Sequence, residues 1–264
     1  MTARRPVFEL AVQDVAGARI ARRTGAARVE LCAALGATGG VTPSVGMIEA
    51  VAAEGIGVHP LIRCRPGGFV YSREELAVMA RDVRAALAAG AAGVVLGALT
   101  ESGQIDAEAI AVLLDRVDPA TEVTFHRAMD VVDDRAAALD VLVESGITRV
   151  LTSGGAPRCI DGLDALAAMA VRAGGRIQVM AGGGLRVEDI TAVTECGVDA
   201  VHLSARRPVV DAGGSGGGTG SYEVTDETTA MAAAAAVRAE SAARRAAPRP
   251  RGAGPRSSGP GVRH

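Results

Sequence analysis

A glycine-punctuated unit recurs four times along this chain and constrains its fold more than any other sequence feature. In each copy a helical stretch ends in Gly, a short link follows, and a Val-rich apolar segment begins. The copies occupy residues 25–31, 90–96, 146–152 and 197–203. Gly is favoured after the last turn of a helix because it adopts a left-handed backbone without strain. The unit therefore predicts a helix followed by a strand, four times over.

Further strand-like segments lie between the copies, at 7–12, 56–63, 122–126 and 176–181, which brings the predicted strands to eight. Helical patterns separate them, for example at 73–89, 106–117, 133–145 and 187–196, and the capping-box spacing Ser72 to Glu75 begins one of them. Alternating strands and helices predict a parallel sheet. Eight alternations in 264 residues favour an α/β fold of the (βα)8 TIM-barrel type, in which the parallel eight-stranded sheet closes on itself. The open Rossmann alternative is weaker because no GxGxxG follows the first strand.

The end of the chain departs from this repeat. We predict that the barrel occupies residues 1–243, with a flexible Gly-rich loop at 212–221 and a last helix at 222–243. Residues 244–264 are rich in Arg, Pro and Gly and predict a disordered tail.

Composition excludes several classes of function. The chain has 28 basic and 30 acidic residues, no Lys, no Trp and few aromatic residues, which argues against nucleic-acid binding and against lysine chemistry. No apolar run is long enough to span a bilayer, so no membrane partner is expected. Four cysteines without CxxC spacing suit a reducing cytoplasm. We predict no organic cofactor.

Alternation along the strands directs a polar set into the barrel. The inward positions are Glu9, Glu30, Cys32, Arg63, His126, Ser153, His202 and Ser204. Most of them come late in their strands, where barrel enzymes build their active sites. With Arg127 and Asp130, which follow His126, the residues Glu9, Glu30, Arg63 and His126 form a candidate acid–base group. A structural alternative remains: Glu9 and Glu30 neutralise Arg63 and Arg127, and His126 is a core histidine.

Glycine-rich strand ends suggest a second element of the site. Gly154 and Gly155 follow the sixth strand with Ser153, and Gly182, Gly183 and Gly184 follow the seventh. Their backbone N–H groups can bind an anion before a helix, although tight turns alone also explain such glycines. His202 and Ser204 complete this ligand-binding set. The loop from Arg65 to Tyr71 adds a cation and a phenol above the third strand and is typical of a binding loop.

Several segments together resemble the CutC family. They are Arg28-Val-Glu-Leu-Cys-Ala-Ala34, Gly40-Val-Thr-Pro-Ser44, Val58-His-Pro-Leu-Ile-Arg63, Val123-Thr-Phe-His-Arg-Ala128 with Asp130, Arg149-Val-Leu-Thr-Ser-Gly154 and Met180-Ala-Gly-Gly-Gly-Leu. The resemblance runs from about residue 7 to 240. It implies a cytoplasmic (βα)8 barrel, often a homo-oligomer, with a role in copper homeostasis and copper(I) binding. By similarity, Cys32 is the matching copper ligand.

Two functions therefore stay open. The first is a copper homeostasis protein of the CutC type that binds or handles copper(I). The second is a TIM-barrel enzyme that acts on a phosphorylated or carboxylated small metabolite by acid–base chemistry at the barrel mouth. A soft metal does not require two Glu and an Arg inside a barrel, which favours the second function on chemical grounds. The family resemblance nevertheless makes copper homeostasis the predicted role, with the enzyme as the alternative.

Overall fold

A barrel of eight parallel strands forms the centre of the protein. The computed structural model describes residues 6–210 and 220–246. The barrel strands are β1 (Val7–Val12), β2 (Arg28–Leu31), β3 (Val58–Pro60), β4 (Gly93–Leu96), β5 (Glu122–Phe125), β6 (Arg149–Thr152), β7 (Gln178–Ala181) and β8 (Ala200–Leu203). They agree with the eight predicted strands, although β3 is shorter than the predicted 56–63 segment.

The sheet closes between β3 and β4. Hydrogen bonding orders the strands β3-β2-β1-β8-β7-β6-β5-β4. The two end strands then meet: Ala92 N donates to Val58 O at 2.9 Å and Ile62 N donates to Val95 O at 2.7 Å. The predicted closed parallel barrel is therefore confirmed.

Helices surround the barrel and alternate with its strands. They are α1 (Val15–Thr24), α2 (Leu35–Thr38), α3 (Val45–Ala52), α4 (Arg73–Ala88), α5 (Ala107–Leu113), α6 (Arg135–Glu144), α7 (Leu163–Ala173), α8 (Ile190–Glu195) and α9 (Glu227–Ala246). The capping box from Ser72 to Glu75 is present at the start of α4. The repeat glycines have φ values of +77° at Gly25, +95° at Gly90, +75° at Gly146 and +84° at Gly197. These left-handed turns are what the recurring unit predicts.

The prediction of a helix over 222–243 is wrong at its start. Residues Ser221–Thr225 form a strand, β10, that pairs antiparallel with β9 (Arg206–Val210). The Tyr-Glu-Val-Thr alternation suits a strand, and Asp226 then begins the helix by accepting from Thr229 N at 2.8 Å. Helix α9 also extends to Ala246, beyond the predicted boundary at 243. Most of the predicted loop at 212–221, and the tail from 247, lie outside the described residues.

Inward and outward faces of the strands differ sharply in polarity. The outward residues pack under the helices; they include Leu10, Val29, Val94, Phe125, Val150, Val179 and Val201. The inward residues are largely polar, apart from two small apolar clusters built on Cys32, Leu61 and Val95 and on Leu151, Met180 and Ala200. The strand alternation predicted from the sequence therefore gives the barrel a charged interior. Among the described residues, none of the helices has the length and apolar character needed to cross a membrane.

Candidate functional site

A cavity of about 480 Å³ opens at the carboxyl ends of the barrel strands. Eight of the residues predicted from the sequence line it: Glu30, Arg63, His126, Arg127, Gly183, Gly184, His202 and Ser204. Apolar side chains, among them Leu61, Phe69 and Leu151, form other parts of its wall. We expected polar side chains from separate strands to meet at one mouth, and the arrangement agrees with this. The chemical roles of these residues stay predictions.

Beneath the cavity, buried charges form a chain across neighbouring strands. Arg28 on β2 donates through Nε to Glu9 Oε2 on β1. The other Glu9 oxygen lies 2.8 Å from His202 Nδ1 on β8. His202 Nε2 in turn lies 3.4 Å from Glu30 Oε2. His202 thus stands between two carboxylates. His202 and Glu30 line the cavity, whereas Glu9 and Arg28 do not.

The charge chain sets the protonation of its members. Burial alone would raise the pKa of Glu9, but the hydrogen bond with His202 and the charge of Arg28 outweigh burial and lower it to about 2. Burial would lower the pKa of His202, yet the hydrogen bond with Glu9 and the charge of Glu30 leave it raised. Burial raises the pKa of Glu30 despite the opposing effect of His202. The arrangement therefore favours an imidazolium at His202.

A second buried network lies in the amino-end half of the barrel. Arg149 is 1% exposed and donates to Glu122 Oε2 at 2.8 Å, Thr124 Oγ1 at 2.9 Å and Gln178 Oε1 at 2.9 Å. His59 Nε2 lies 3.8 Å from the same Glu122 oxygen, and burial lowers the pKa of His59 to about 4. None of these residues lines the cavity, so the network is structural.

The structural alternative that Arg63 and Arg127 neutralise Glu9 and Glu30 is wrong. Arg28 and His202 do so instead. Arg63 donates to the carbonyls of Thr38 at 3.2 Å and Gly40 at 3.0 Å, and also to Gly67, so it holds the loops around the mouth together. Arg127 pairs with Asp130.

His126 is a neutral histidine in the cavity wall. Its Nδ1 accepts a hydrogen bond from Ala128 N at 3.1 Å, which places the single ring proton on Nε2. Burial, with a contribution from the charge of Arg63, lowers the pKa of His126 to about 3. The ring lies over Gly97, where a Cβ atom would come within 2.5 Å of Cε1, so the glycine gives the histidine its space. Phe69 covers the ring at 4.8 Å between centroids.

The predicted anion-binding turn after β6 is filled by the chain itself. Asp130 accepts from Thr152 Oγ1 at 2.6 Å, Ser153 N at 2.8 Å and Gly155 N at 3.3 Å. Gly154 N donates to Thr152 Oγ1. The N–H groups of Ser153 and Gly155 therefore bind a carboxylate of the protein rather than an external anion. Gly154 and Gly155 line a separate cavity on the side of α7, and Ser153 Oγ donates to Ala156 O.

The glycines after β7 do reach the mouth. Gly183, with φ +109°, lies under the Arg127 guanidinium, whose Cζ would be 2.7 Å from a Cβ at this position. Gly182 does not line the cavity; it gives space to His202 and Leu151 instead. The following helix, α8, is short and begins after a 3-10 turn over Val187–Asp189.

Arg65 and Tyr71 lie outside the mouth. Arg65 pairs with Glu75, donates to the carbonyls of Gly68 and Val70, and places its guanidinium 5.1 Å from the Tyr71 ring centroid. From this loop, Phe69 lines the cavity. Neither Arg65 nor Tyr71 is among the residues that line the cavity, and the prediction that they contact a ligand stays a prediction.

Two cavity arginines do not emerge from the sequence pattern. Arg186 and Arg206 line the mouth beside Arg127. Arg206 follows β8 and donates to Glu223 Oε2 at 2.6 Å across the hairpin. In the sequence, only their position marks them as candidates, since each comes shortly after the carboxyl end of a barrel strand.

Cys32, the candidate copper ligand, is buried against Leu61 and Val95. Burial and the neighbouring Glu30 carboxylate raise the pKa of its thiol well above the ordinary value, whereas the metal-binding form of Cys is the thiolate. Among residues 6–210 and 220–246, no three His, Cys, Asp or Glu side chains form a group that could hold a metal ion. The nearby His202 directs both ring nitrogens at carboxylates. These donors do not fit copper(I), which prefers several soft ligands.

Comparison with known proteins gives one consistent family. The family model described as CutC family matches residues 7–207. The human copper homeostasis protein cutC homolog is 43% identical over 202 residues, which cover 76% of this chain and 73% of the human protein. The family protein CutC of Caulobacter vibrioides is 42% identical over 210 residues, covering 79% and 85% of the two chains.

Solved structures agree with these sequence matches. A crystal structure from Streptococcus agalactiae that carries the name copper homeostasis protein CutC superposes with a TM-score of 0.68 at 35% identity, covering 75% of this chain and 97% of the other. A structure named QR15, an aldolase, superposes with a TM-score of 0.58 at 18% identity, covering 77% and 92% of the two chains. The second likeness concerns the fold alone.

Proposed function

Since the chain belongs to the CutC family, we propose that it serves in copper homeostasis and that its barrel mouth binds a small anionic metabolite. The charge of the cavity is the observation that supports binding of an anionic metabolite. The described residues that line it include four guanidinium groups, those of Arg63, Arg127, Arg186 and Arg206, and one carboxylate, that of Glu30. Asp130 and Glu223 pair with Arg127 and Arg206 from behind the wall, which leaves Arg63 and Arg186 without a close carboxylate partner. A concave mouth with this remaining positive charge attracts anions.

The size and wall of the cavity support the same ligand class. A volume of about 480 Å³ suits a metabolite rather than a macromolecule. Arg186 has the weakest protein partner of the four arginines, since Glu188 lies 3.9 Å away and the Arg186 side chain is 63% exposed. Its guanidinium is therefore available to pair with a phosphate or carboxylate.

Acid–base catalysis at the same mouth is a second candidate function. Glu30 is the cavity carboxylate, and His202 stands behind it with Glu9. A carboxylate held this way can accept a proton from a carbon beside a carbonyl group while the arginines hold the anionic end of the substrate. The pairing of Glu30 with His202 favours this candidate. Arg127 and Asp130 would then act as a positioning pair at the rim.

Phosphate binding is the direct test of the metabolite site. Inorganic phosphate at about 100 times its Kd is expected to stabilise the wild type by about 3 kcal/mol, which raises Tm by roughly 5–10 °C. Arg186→Gln should weaken this binding about tenfold because it removes a charge-assisted contact. Calorimetric titration and thermal unfolding measure both effects.

Arg116→Gln is the matched control, since Arg116 is exposed and does not line the cavity. It should bind phosphate as the wild type does. If phosphate and phosphorylated metabolites leave Tm and the titration heat unchanged in the wild type, the proposed anion site is contradicted.

Copper(I) binding is tested separately at Cys32. Because the site lacks further soft donors, Cys32→Ser is expected to change the copper(I) affinity by less than about twofold against a competing chelator. Cys64→Ser, at a half-buried cysteine, is the matched control. Loss of stoichiometric copper(I) binding in Cys32→Ser alone would overturn this expectation and make copper itself the cargo of the barrel.

We also propose a cytoplasmic location and self-association. All four cysteines, Cys32, Cys64, Cys159 and Cys196, are unpaired, which suits a reducing compartment. Self-association rests on the family resemblance alone, and sedimentation of the purified protein measures it.

A further inference from the structure

Two buried hydrogen-bond donors in the cavity lack a protein acceptor. His126 Nε2 and Arg63 Nε are both shielded from solvent and have no hydrogen-bond partner in range among the described residues. The buried Tyr71 hydroxyl interacts with the Arg63 side chain, so His126 Nε2 is the donor without any protein group beside it. His126 is 6% exposed and Arg63 is 7% exposed, and both side chains line the mouth. An unsatisfied buried donor is costly, so such groups ordinarily have a partner. The unpartnered His126 donor in the cavity wall points to an oxygen acceptor supplied by a ligand.

The form of His126 defines what it can recognise. Its Nδ1 accepts from Ala128 N, so the ring is neutral and presents N–H at Nε2. A neutral N–H donor suits a carbonyl oxygen. The aromatic ring of Phe69 contacts both donors, at 4.8 Å from the His126 ring centroid and 5.2 Å from Arg63 Cζ. The acceptor site therefore has an apolar cover on one side.

We propose that the mouth binds a small oxo compound that also carries a phosphate, phosphonate or carboxylate group, and that His126 Nε2–H donates to its carbonyl oxygen. Arg63 Nε lies within the same wall as a second donor, while Arg127, Arg186 and Arg206 hold the anionic end. This inference rests on the proposed anion site and narrows its ligand class from any small anion to an oxo anion.

A pair of probes that differ in one group tests the proposal. 2-Oxopropylphosphonate and propylphosphonate carry the same anion, and the first alone has a carbonyl group. The wild type is expected to bind the oxo probe about tenfold more tightly, as measured by calorimetry or ligand-observed NMR. In His126→Phe this preference should disappear while propylphosphonate binds as before. His59→Gln is the matched control, because His59 is buried outside the cavity, and it should retain the preference.

The pH dependence tests the proton state of the proposed donor. The oxo preference should stay constant between about pH 5 and 6, where both phosphonates are monoanions and His126 is a neutral ring. Should His126→Phe fold poorly, the ratio of the two affinities in the wild type over this pH range still tests whether the site recognises a carbonyl group. Equal affinity for the probes overturns the inference and leaves the anion site intact. Failure of both probes to bind overturns the proposed metabolite site itself.

Discussion

Arg28→Leu is expected to lower the free energy of unfolding by about 3 kcal/mol, because it leaves the buried Glu9 carboxylate with only one of its two cationic partners. The Arg28 side chain is 9% exposed and its partner Glu9 is 1% exposed. After the substitution, Glu9 keeps His202 as its cationic neighbour and loses the stronger of its two charges. Urea unfolding followed by circular dichroism at pH 7 measures the change.

The same substitution at an exposed ion pair is the matched control. Arg23 pairs with Glu227 at 2.8 Å, and both side chains are about half exposed. Arg23→Leu should cost less than about 1 kcal/mol, because an exposed ion pair contributes little. The double variant Arg28→Leu/Glu9→Leu should recover part of the loss by removing the unpaired charge. Equal stability of Arg28→Leu and Arg23→Leu would contradict the proposed role of the buried pair.

Acid is expected to destabilise the protein steeply below about pH 6.5. The pKa values of His59 and His126 are lowered to about 4 and about 3 in the folded state. Between those values and 6.5 the unfolded chain takes up protons that the native histidines do not bind, so stability falls as pH falls. Glu9, with its pKa lowered to about 2, adds a further loss as pH falls below 4.5.

The raised pKa values of Glu30 and His202 act in the opposite direction. The stability from His202 is fully present below the unfolded pKa of 6.5 and is lost as pH rises through its folded pKa. A stability maximum near neutral pH is therefore expected. Between pH 6 and 4.5 the two histidine protons lower the unfolding free energy by at most about 3 kcal/mol per pH unit as pH falls, and the raised pKa of Glu30 reduces this slope.

His126→Phe should reduce that slope by about 1.4 kcal/mol per pH unit, because one titrating group is removed. Urea titrations at half-unit pH intervals give the slope directly. A wild-type unfolding free energy that stays flat between pH 7 and 5 would show that the buried histidines are not the groups that couple folding to protons.

Much of the fold follows from the sequence because local chemistry and global architecture agree. The four recurring glycines mark real left-handed turns between helices and strands, and with the four strand-like segments between the copies they give the eight strands. The end of the chain does not follow in this way. There, Tyr222 to Thr225 alternates like a strand but has few residues, and its partner strand β9 is separated from it by the Gly-rich segment. Pairing across such a separation is a tertiary effect that a local pattern does not contain.

The cavity residues were predictable from strand parity, but their partners were not. Alternation places Glu9, Glu30, His126 and His202 inside the barrel, as the structure has them. It does not say which cation meets which carboxylate, because that depends on how neighbouring strands are staggered. Asp130 illustrates the same gap. It lies beside the candidate group in sequence, yet its carboxylate turns away to bind the backbone after β6.

Arg28 and Arg149 show a signal that was present in the repeat. Both occupy the position directly before the Val of a copy, and both point inward, where Gly93 and Ala200 stand in the other two copies. At one level of the barrel interior, the arginines of β2 and β6 thus alternate with the small residues of β4 and β8. Layers built from alternate strands are a general property of this barrel. Comparing equivalent positions of the repeat identifies these arginines as inward-pointing residues, whereas hydropathy alone assigns them to the ends of strands.

The position of Phe69 has a practical consequence. Its ring covers His126 and touches Arg63 at the mouth, in a chain that contains no tryptophan. Phe69→Trp would place a lone indole fluorophore over the cavity, next to a guanidinium and an imidazole. Emission from that single indole would then report directly on whatever molecule enters the mouth, without a label.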